Sequence, residues 1–288
     1  MVGKRRAAAV LALLLTTAAC GSDISDVKNL GWPNNPDAPA TTAVGSDGQH
    51  LRRRPTGEDP LRVTSIGDSV AFDADPGIQA ALESTGRAVV VNRSYGGVGL
   101  LRPQFDSYLA ETMAGNPEVV VVMLGGWDLG EALADPVGYR LRVDQVLDIM
   151  EAEGVFVVWL GMPPTPPAEG LEEARVAINE LFEEAAAERP DIDYQSTDFL
   201  LGGPDGLFQR VLPGLDSRLA QVRKVRGGDD DGHLCPAGAA LIGDLVYAVV
   251  GSRHPLPQRA FGWWRAGWTD DERYDDPPGG CSTDGSVD

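Results

Sequence analysis

From residue 60 onward, short apolar runs alternate with amphipathic stretches, and the two carry different periods. Residues 61–66, 88–92, 118–124, 155–160 and 192–196 are nearly continuous in apolar side chains, as strands covered on both faces should be. Between them, 77–84, 104–114, 136–153 and 171–188 repeat at helical spacing, and 237–250 follows as a last helix. This β-α-β alternation predicts a parallel sheet packed between helices, an α/β three-layer sandwich with five strands. In such sheets ligands bind beyond the carboxyl ends of the strands. Ser69, Gly97 and Trp127 each follow the end of a predicted strand, so all three fall on one rim.

The serine sits in Ser65-Ile66-Gly67-Asp68-Ser69-Val70, immediately after the first strand, while Asp230 and His233 lie far downstream in Asp-Asp-Asp-Gly-His, ahead of the last helix. Together they supply a nucleophile, a base and an acid to orient the base. These blocks resemble the SGNH, or GDSL-type, hydrolases. Gly67-Asp68-Ser69 corresponds to that family's first block and Asp230-x-x-His233 to its last. The resemblance implies Ser69 as nucleophile, His233 as base and Asp230 as the orienting acid. In Asn92-Arg93-Ser94-Tyr95-Gly96-Gly97 the oxyanion glycine is implied at Gly97, or at Gly96 if the loop is shifted by one. The third block departs: Gly125-Gly126-Trp127-Asp128 carries tryptophan where the family usually has asparagine. Trp127 has an indole N–H that can donate and nothing that can accept, so it either replaces the asparagine in the oxyanion hole or walls the pocket.

The resemblance spans roughly 61–250 and implies a serine esterase with an SGNH, flavodoxin-like fold that needs no cofactor or metal. Gly-Gly-Trp-Asp with Asp-Gly-His-Leu-Cys is more similar to SGNH domains associated with bacterial membrane acyltransferases than to secreted lipases. The implied substrate is an acylated small molecule or a cell-envelope glycan carrying O-acetyl groups, with hydrolysis and transfer both open. An α/β-hydrolase is disfavoured by order, because there the serine comes mid-chain and the acid lies well before the histidine. Gly97-Val98-Gly99 lacks the third glycine of a dinucleotide site. Two other classes remain: a binding lipoprotein without turnover, motivated by Trp127, and a cation-binding module on Asp229, Asp230 and Asp231.

The N-terminus reads Lys4-Arg5-Arg6, an apolar stretch over 7–15, then small residues before Cys20, the plan of an export signal. The stretch is too short for a permanent span. Thr17-Ala18-Ala19-Cys20 resembles a bacterial lipobox, which implies cleavage before Cys20, a lipid on its sulfur and a membrane-anchored protein facing outward; a plain secretory signal is the alternative. Residues 1–19 are thus read as the signal, 20–60 as the lipidated cysteine and a flexible tether, 61–252 as the hydrolase domain and 253–288 as a tryptophan-rich tail. Arg52-Arg53-Arg54 is read as a solvated charge run, His50 and His254 as surface residues, and Trp263, Trp264, Trp268 and Tyr274 as packing, with sugar stacking as the alternative. With Cys20 lipidated, export makes a Cys235–Cys281 disulfide the expected pairing, tying the tail to the histidine loop.

At 288 residues, 43% hydrophobic and 23% charged, the chain has the composition of one globular domain plus attachments. Its net charge of −19 becomes −22 without the leader, which carries three basic residues and no acid. Nucleic acid is excluded as a partner, and membrane attachment must rest on the acyl anchor rather than a basic patch.

Overall fold

In the central strands valine follows valine, and every residue of β3 (Val119–Met123) and β4 (Phe156–Leu160) is buried. The computed structural model describes residues 51–282. The expected signal, Cys20, the tether up to residue 50 and His50 lie outside the described residues. With β1 (Leu61–Gly67), β2 (Ala88–Asn92) and β5 (Ile192–Gln195), the strands form one parallel sheet in the order β2-β1-β3-β4-β5. Strand alternation divides the core in two. Val119, Val121 and Met123 face one cluster and Val120 and Val122 the other, so helices cover both faces and the expected three-layer α/β architecture is the one observed. At the open edge Val89 and Val91 are about half exposed.

The helices are α1 (Ser69–Glu83), α2 (Phe105–Ala114), α3 (Leu129–Ala134), α4 (Pro136–Ala152), α5 (Glu172–Ala187), α6 (Asp198–Gly202) and α7 (Pro236–Arg253). Helix α1 begins eight residues before the expected Gly77. Pro76 reads as a helix boundary, because its missing N–H leaves the carbonyl of Phe72 without an intrahelical donor. Here Arg273 Nη1 donates to Phe72 O at 2.5 Å and Tyr274 Oη donates to Asp73 O at 2.8 Å. The C-terminal tail thus satisfies carbonyls beside the proline, and the helix continues through it.

Two antiparallel hairpins join the sheet domain to α7 and were absent from the sequence reading: β6 (Val211–Pro213) with β7 (Leu219–Gln221), and β8 (Arg223–Arg226) with β9 (Asp229–Leu234). The second turns on Gly227 and Gly228, with φ of +64° and +96°, the left-handed pair that a tight hairpin demands. Its strands carry Arg-Lys-Val-Arg and Asp-Asp-Asp-Gly-His, and that charge hid the strand pattern.

Three surface readings are corrected. Residues 51–60 are not free tether: Arg52 N donates to Arg253 O at 2.8 Å, and Arg53 forms a forked pair with Glu118. The arginine run is therefore engaged, since Glu118 opens β3 with its carboxylate directed at Arg53 and Arg62, and Arg52 meets Asp191 at 2.9 Å. His254 is buried, its Nδ1 donating to Arg53 O at 3.2 Å. In the tail, Trp263 and Tyr274 are buried, Trp264 and Trp268 pack partly against the core, and Cys235 is bonded to Cys281 across a Cα–Cα distance of 5.6 Å.

Candidate active site

Ser69 owes its position to the turn that precedes it. Between β1 and α1 the chain passes so close to β3 that a Cβ on Gly67 would collide with Met123 O and Ala71 Cβ, which only glycine avoids. Asp68 then caps α1, its Oδ1 accepting from Val70 N at 3.0 Å. Its Oδ2 accepts from Gly126 N at 3.1 Å, so one carboxylate ties the serine turn to the loop after β3. Burial pushes the Asp68 carboxyl up to about 6, against the two backbone N–H groups that favour its charge.

His233 Nε2 lies 2.9 Å from Ser69 Oγ. On the far side of the ring, Nδ1 lies 2.5 Å from Asp231 Oδ1, which also accepts from His233 N at 2.8 Å. The carboxylate that meets the imidazole in the structure is therefore Asp231, not the Asp230 expected from the D-x-x-H spacing. Both aspartates stand on β9, where side chains alternate between faces; residues 231 and 233 share a face and residue 230 points away. Asp230 is exposed and faces Arg210 at 3.6 Å. The expected acidic cluster is divided in the same way, with Asp231 committed to His233 and, through Oδ2, to Arg226 Nε at 2.7 Å.

The electrostatics suit a base. Burial alone would lower the His233 pKa, but the Asp231 hydrogen bond and charge outweigh it and the ring is raised above its ordinary value. Desolvation works against Asp231 as well; the bonds from His233 and Arg226 prevail and hold its carboxyl far below the usual carboxylate range. Asp231 thus stays charged while His233 titrates.

The loop after β2 is placed by Asp75 on α1, whose Oδ1 accepts from Ser65 Oγ at 2.6 Å and Ser94 Oγ at 3.1 Å. Tyr95 N donates to Gly67 O at 3.1 Å, and a Cβ on Gly96 would lie 3.9 Å from Ser69 Cβ. Gly97 follows with φ +92°. Among the described residues, the backbone N–H groups of Ser69, Gly97 and Trp127 have no hydrogen-bond partner. The Trp127 side chain is half exposed beneath the Arg102 guanidinium, 5.6 Å from the ring centre, and its carbonyl accepts from Arg102 Nη2 at 2.7 Å.

Sequence reasoning missed Asp73 and Lys224. Asp73 Oδ2 accepts from Leu234 N at 3.1 Å, next to the histidine, and Oδ1 meets Lys224 Nζ at 3.1 Å. The ammonium also donates to Arg273 O and Asp276 O, at 2.7 and 3.0 Å. This buried pair joins α1, the histidine strand and the tail. The available signal was composition: Lys224 is the one lysine among residues 51–282 of an arginine-rich chain, and a point charge with three donors does here what a planar guanidinium would not.

Residues 62–249 match the family described as "Protein of unknown function (DUF459)". The chain belongs to that family. Comparison with curated proteins gave no match. Among solved structures, a protein from Desulfitobacterium hafniense described as lipolytic and of the G-D-S-L family is 17% identical, covers 66% of this chain and 99% of its own, and superposes with a TM-score of 0.50. An acetyl xylan esterase (13% identity, 66% and 100% covered, TM-score 0.48) and a GDSL-like lipase from Bacteroides thetaiotaomicron (16%, 68% and 90%, 0.47) are also similar. The likeness to the first is one of fold, and it agrees with the three-layer α/β topology of the DUF459 domain.

Proposed function

We propose that this DUF459 protein is a serine ester hydrolase or acyltransferase of the SGNH type, acting through Ser69, His233 and Asp231. The observation that carries the reading is the relay itself: serine hydroxyl to imidazole at 2.9 Å, and imidazole to carboxylate at 2.5 Å, with the nucleophile at the mouth of a parallel sheet. His233 Nε2 takes the Ser69 proton as Oγ bonds to the ester carbonyl carbon, and Asp231 fixes the tautomer that leaves Nε2 free to accept. The resulting alkoxide is met by the backbone N–H groups of Ser69 and Gly97, both free of other partners. As the tetrahedral adduct collapses, the ester C–O bond breaks and the imidazolium returns its proton to the departing alcohol. Water, or the hydroxyl of an acceptor, then attacks the acyl carbon and gives its proton to His233; the acyl carbon–Oγ bond breaks and the imidazolium returns that proton to Ser69 Oγ, which frees the acid or the new ester.

Export and a lipid on Cys20 form part of the same proposal, supported by the leader pattern and by a cysteine pair suited to an oxidising compartment. The test is turnover of a chromogenic acetyl ester by the protein beside its Ser69→Ala variant. Activity abolished by that change establishes serine chemistry; equal rates from both proteins overturn it.

A further inference from the structure

Ser69 opens α1, and Asp73 follows it four residues on, one turn along the same face of that helix. The two side chains meet neighbouring positions of β9. Ser69 Oγ lies 2.9 Å from His233 Nε2, and Asp73 Oδ2 accepts from Leu234 N at 3.1 Å. The helix that carries the nucleophile therefore grips the histidine strand at two successive residues, once at a side chain and once at the backbone. A slide of β9 that parted His233 from Ser69 would have to break the Asp73 bond as well.

The carboxylate is itself held. Its Oδ1 meets Nζ of Lys224, on the strand that pairs with β9, and the ammonium's other two bonds go to Arg273 O and Asp276 O. Both side chains of the pair are 3% exposed. Burial raises the Asp73 carboxyl, and the Lys224 charge and hydrogen bond work against that rise to keep it ionised. Anchoring Leu234 N needs only an acceptor, which a neutral amide would supply without the desolvation cost of a buried ion pair. The charge therefore calls for a reason beyond the anchor.

The imidazole supplies one. The charged groups acting around His233 are Asp231 on its own strand, Asp73 on α1, Asp68 in the turn before α1, Lys224 on β8 and Glu169 in the loop after β4. Burial disfavours a charged ring; Asp231 and then Asp73 favour it, and Lys224 opposes it less strongly than Asp73 supports it. We propose that Asp73, kept ionised by Lys224, is a second positioning acid for His233: it fixes the histidine strand against the nucleophile's helix and stabilises the imidazolium that forms as Ser69 gives up its proton. The kinetic part rests on the esterase reading; the effect on the ring does not.

Two readouts test it: the pH titration of the His233 ring by NMR, and kcat with KM for a chromogenic acetyl ester. In Asp73→Asn, whose amide oxygen can still accept from Leu234 N, the ring should titrate at lower pH and kcat should fall about tenfold at unchanged KM. Adding Lys224→Met removes the stranded ammonium, so the ring should return toward its parental titration and kcat to within about threefold, although further bonds are lost. Asp73→Ala combined with Lys224→Met leaves Leu234 N without an acceptor and should cost about 10²-fold in kcat, the scale set by misplaced reacting groups. If Asp73→Asn alone does not fold, the two double variants, which leave no buried charge at either position, decide. A ring titration indifferent to the variants, or equal kcat in the two double variants, overturns the proposal whatever the melting temperatures do. A shifted ring in a protein with no turnover beyond its Ser69→Ala variant upholds the positioning role and removes the esterase reading; turnover with an unmoved ring does the reverse.

Discussion

Replacing Asp231 with asparagine, next to the same change at Asp230, separates the two candidate acids by several orders of magnitude. Asp231 accepts on Oδ1 from the ring and backbone of His233 and on Oδ2 from Arg226. An asparagine keeps only one acceptor. With its oxygen toward His233, its amide meets the Arg226 guanidinium donor to donor; flipped, its amide donates to Nδ1 and forces the proton onto Nε2. That tautomer donates to Ser69 instead of accepting from it. Loss of the correct tautomer costs about 10⁴-fold in kcat in serine proteases, about 5.4 kcal/mol at 1.36 kcal/mol per decade, and a fall on the order of 10³- to 10⁴-fold is expected here. Asp230→Asn removes only a surface pair at 3.6 Å whose side chains are 47% and 40% exposed, a contribution of about 0–1 kcal/mol to stability, so kcat should stay within about twofold. The assay is the pH profile of acetyl ester hydrolysis. Because the neutral ring is the base, activity falls as pH drops through the His233 pKa, which stands above the ordinary histidine value. In Asp231→Asn the residual activity should show that limb at lower pH, since burial then acts without the opposing carboxylate. A silent Asp231→Asn and an inactive Asp230→Asn would refute the assignment.

Cys281→Ser should lower stability by about 4 kcal/mol, the loop-closure entropy of a 46-residue separation, and the melting temperature by about 10 °C; a melting curve indifferent to the change would show that the tail is held without the bridge. Arg273→Ala should cost about 1.5–3 kcal/mol for a charged donor removed from Phe72 O, and Pro76→Ala, which restores an N–H for that carbonyl, should recover part of the loss in chemical denaturation; additive costs would refute the link. Burial pushes Asp75 up to about 6, over the bonds from Ser65 and Ser94. With the folded pKa above the unfolded one near 4, its contribution is complete below about pH 4 and is lost as pH rises through 6, on the order of 3 kcal/mol. The melting temperature should therefore fall from pH 4 to 6.5 relative to Asp75→Asn, whose amide oxygen can still accept from both serines; parallel curves would contradict this. Trp127→Phe should keep turnover within about threefold, its ring serving as a wall under Arg102, whereas a loss of about 10²-fold or more would put the indole N–H in the oxyanion hole.

The sheet was legible because buried strands leave continuous apolar runs, and all five were located to within two residues. The histidine strand was not, because Asp229 to His233 carry no apolar signal; the motif points to a spacing of three, but the backbone there is extended and side chains two apart share a face. Pro76 concealed the first two turns of α1 for a related reason: the donors that satisfy the neighbouring carbonyls are some 200 residues away. Asp73 and Lys224 are 151 positions apart, and no local pattern pairs them. Arg52, Arg53 and His254 read as surface because polarity suggests exposure, yet Glu118 and the end of α7 supply partners that draw them in. The meeting of Ser69 with His233 was expected from motif order, whereas the place of Asp231 beside the ring follows from the strand.

The most direct measurement is the site of covalent capture by a fluorophosphonate. The account predicts one phosphonyl adduct per chain, mapped by tandem mass spectrometry to Ser69, fast in the unsubstituted protein, slowed by orders of magnitude in Asp231→Asn and absent in Ser69→Ala. Labelling at another residue, or no labelling beyond that of the Ser69→Ala protein, would contradict it.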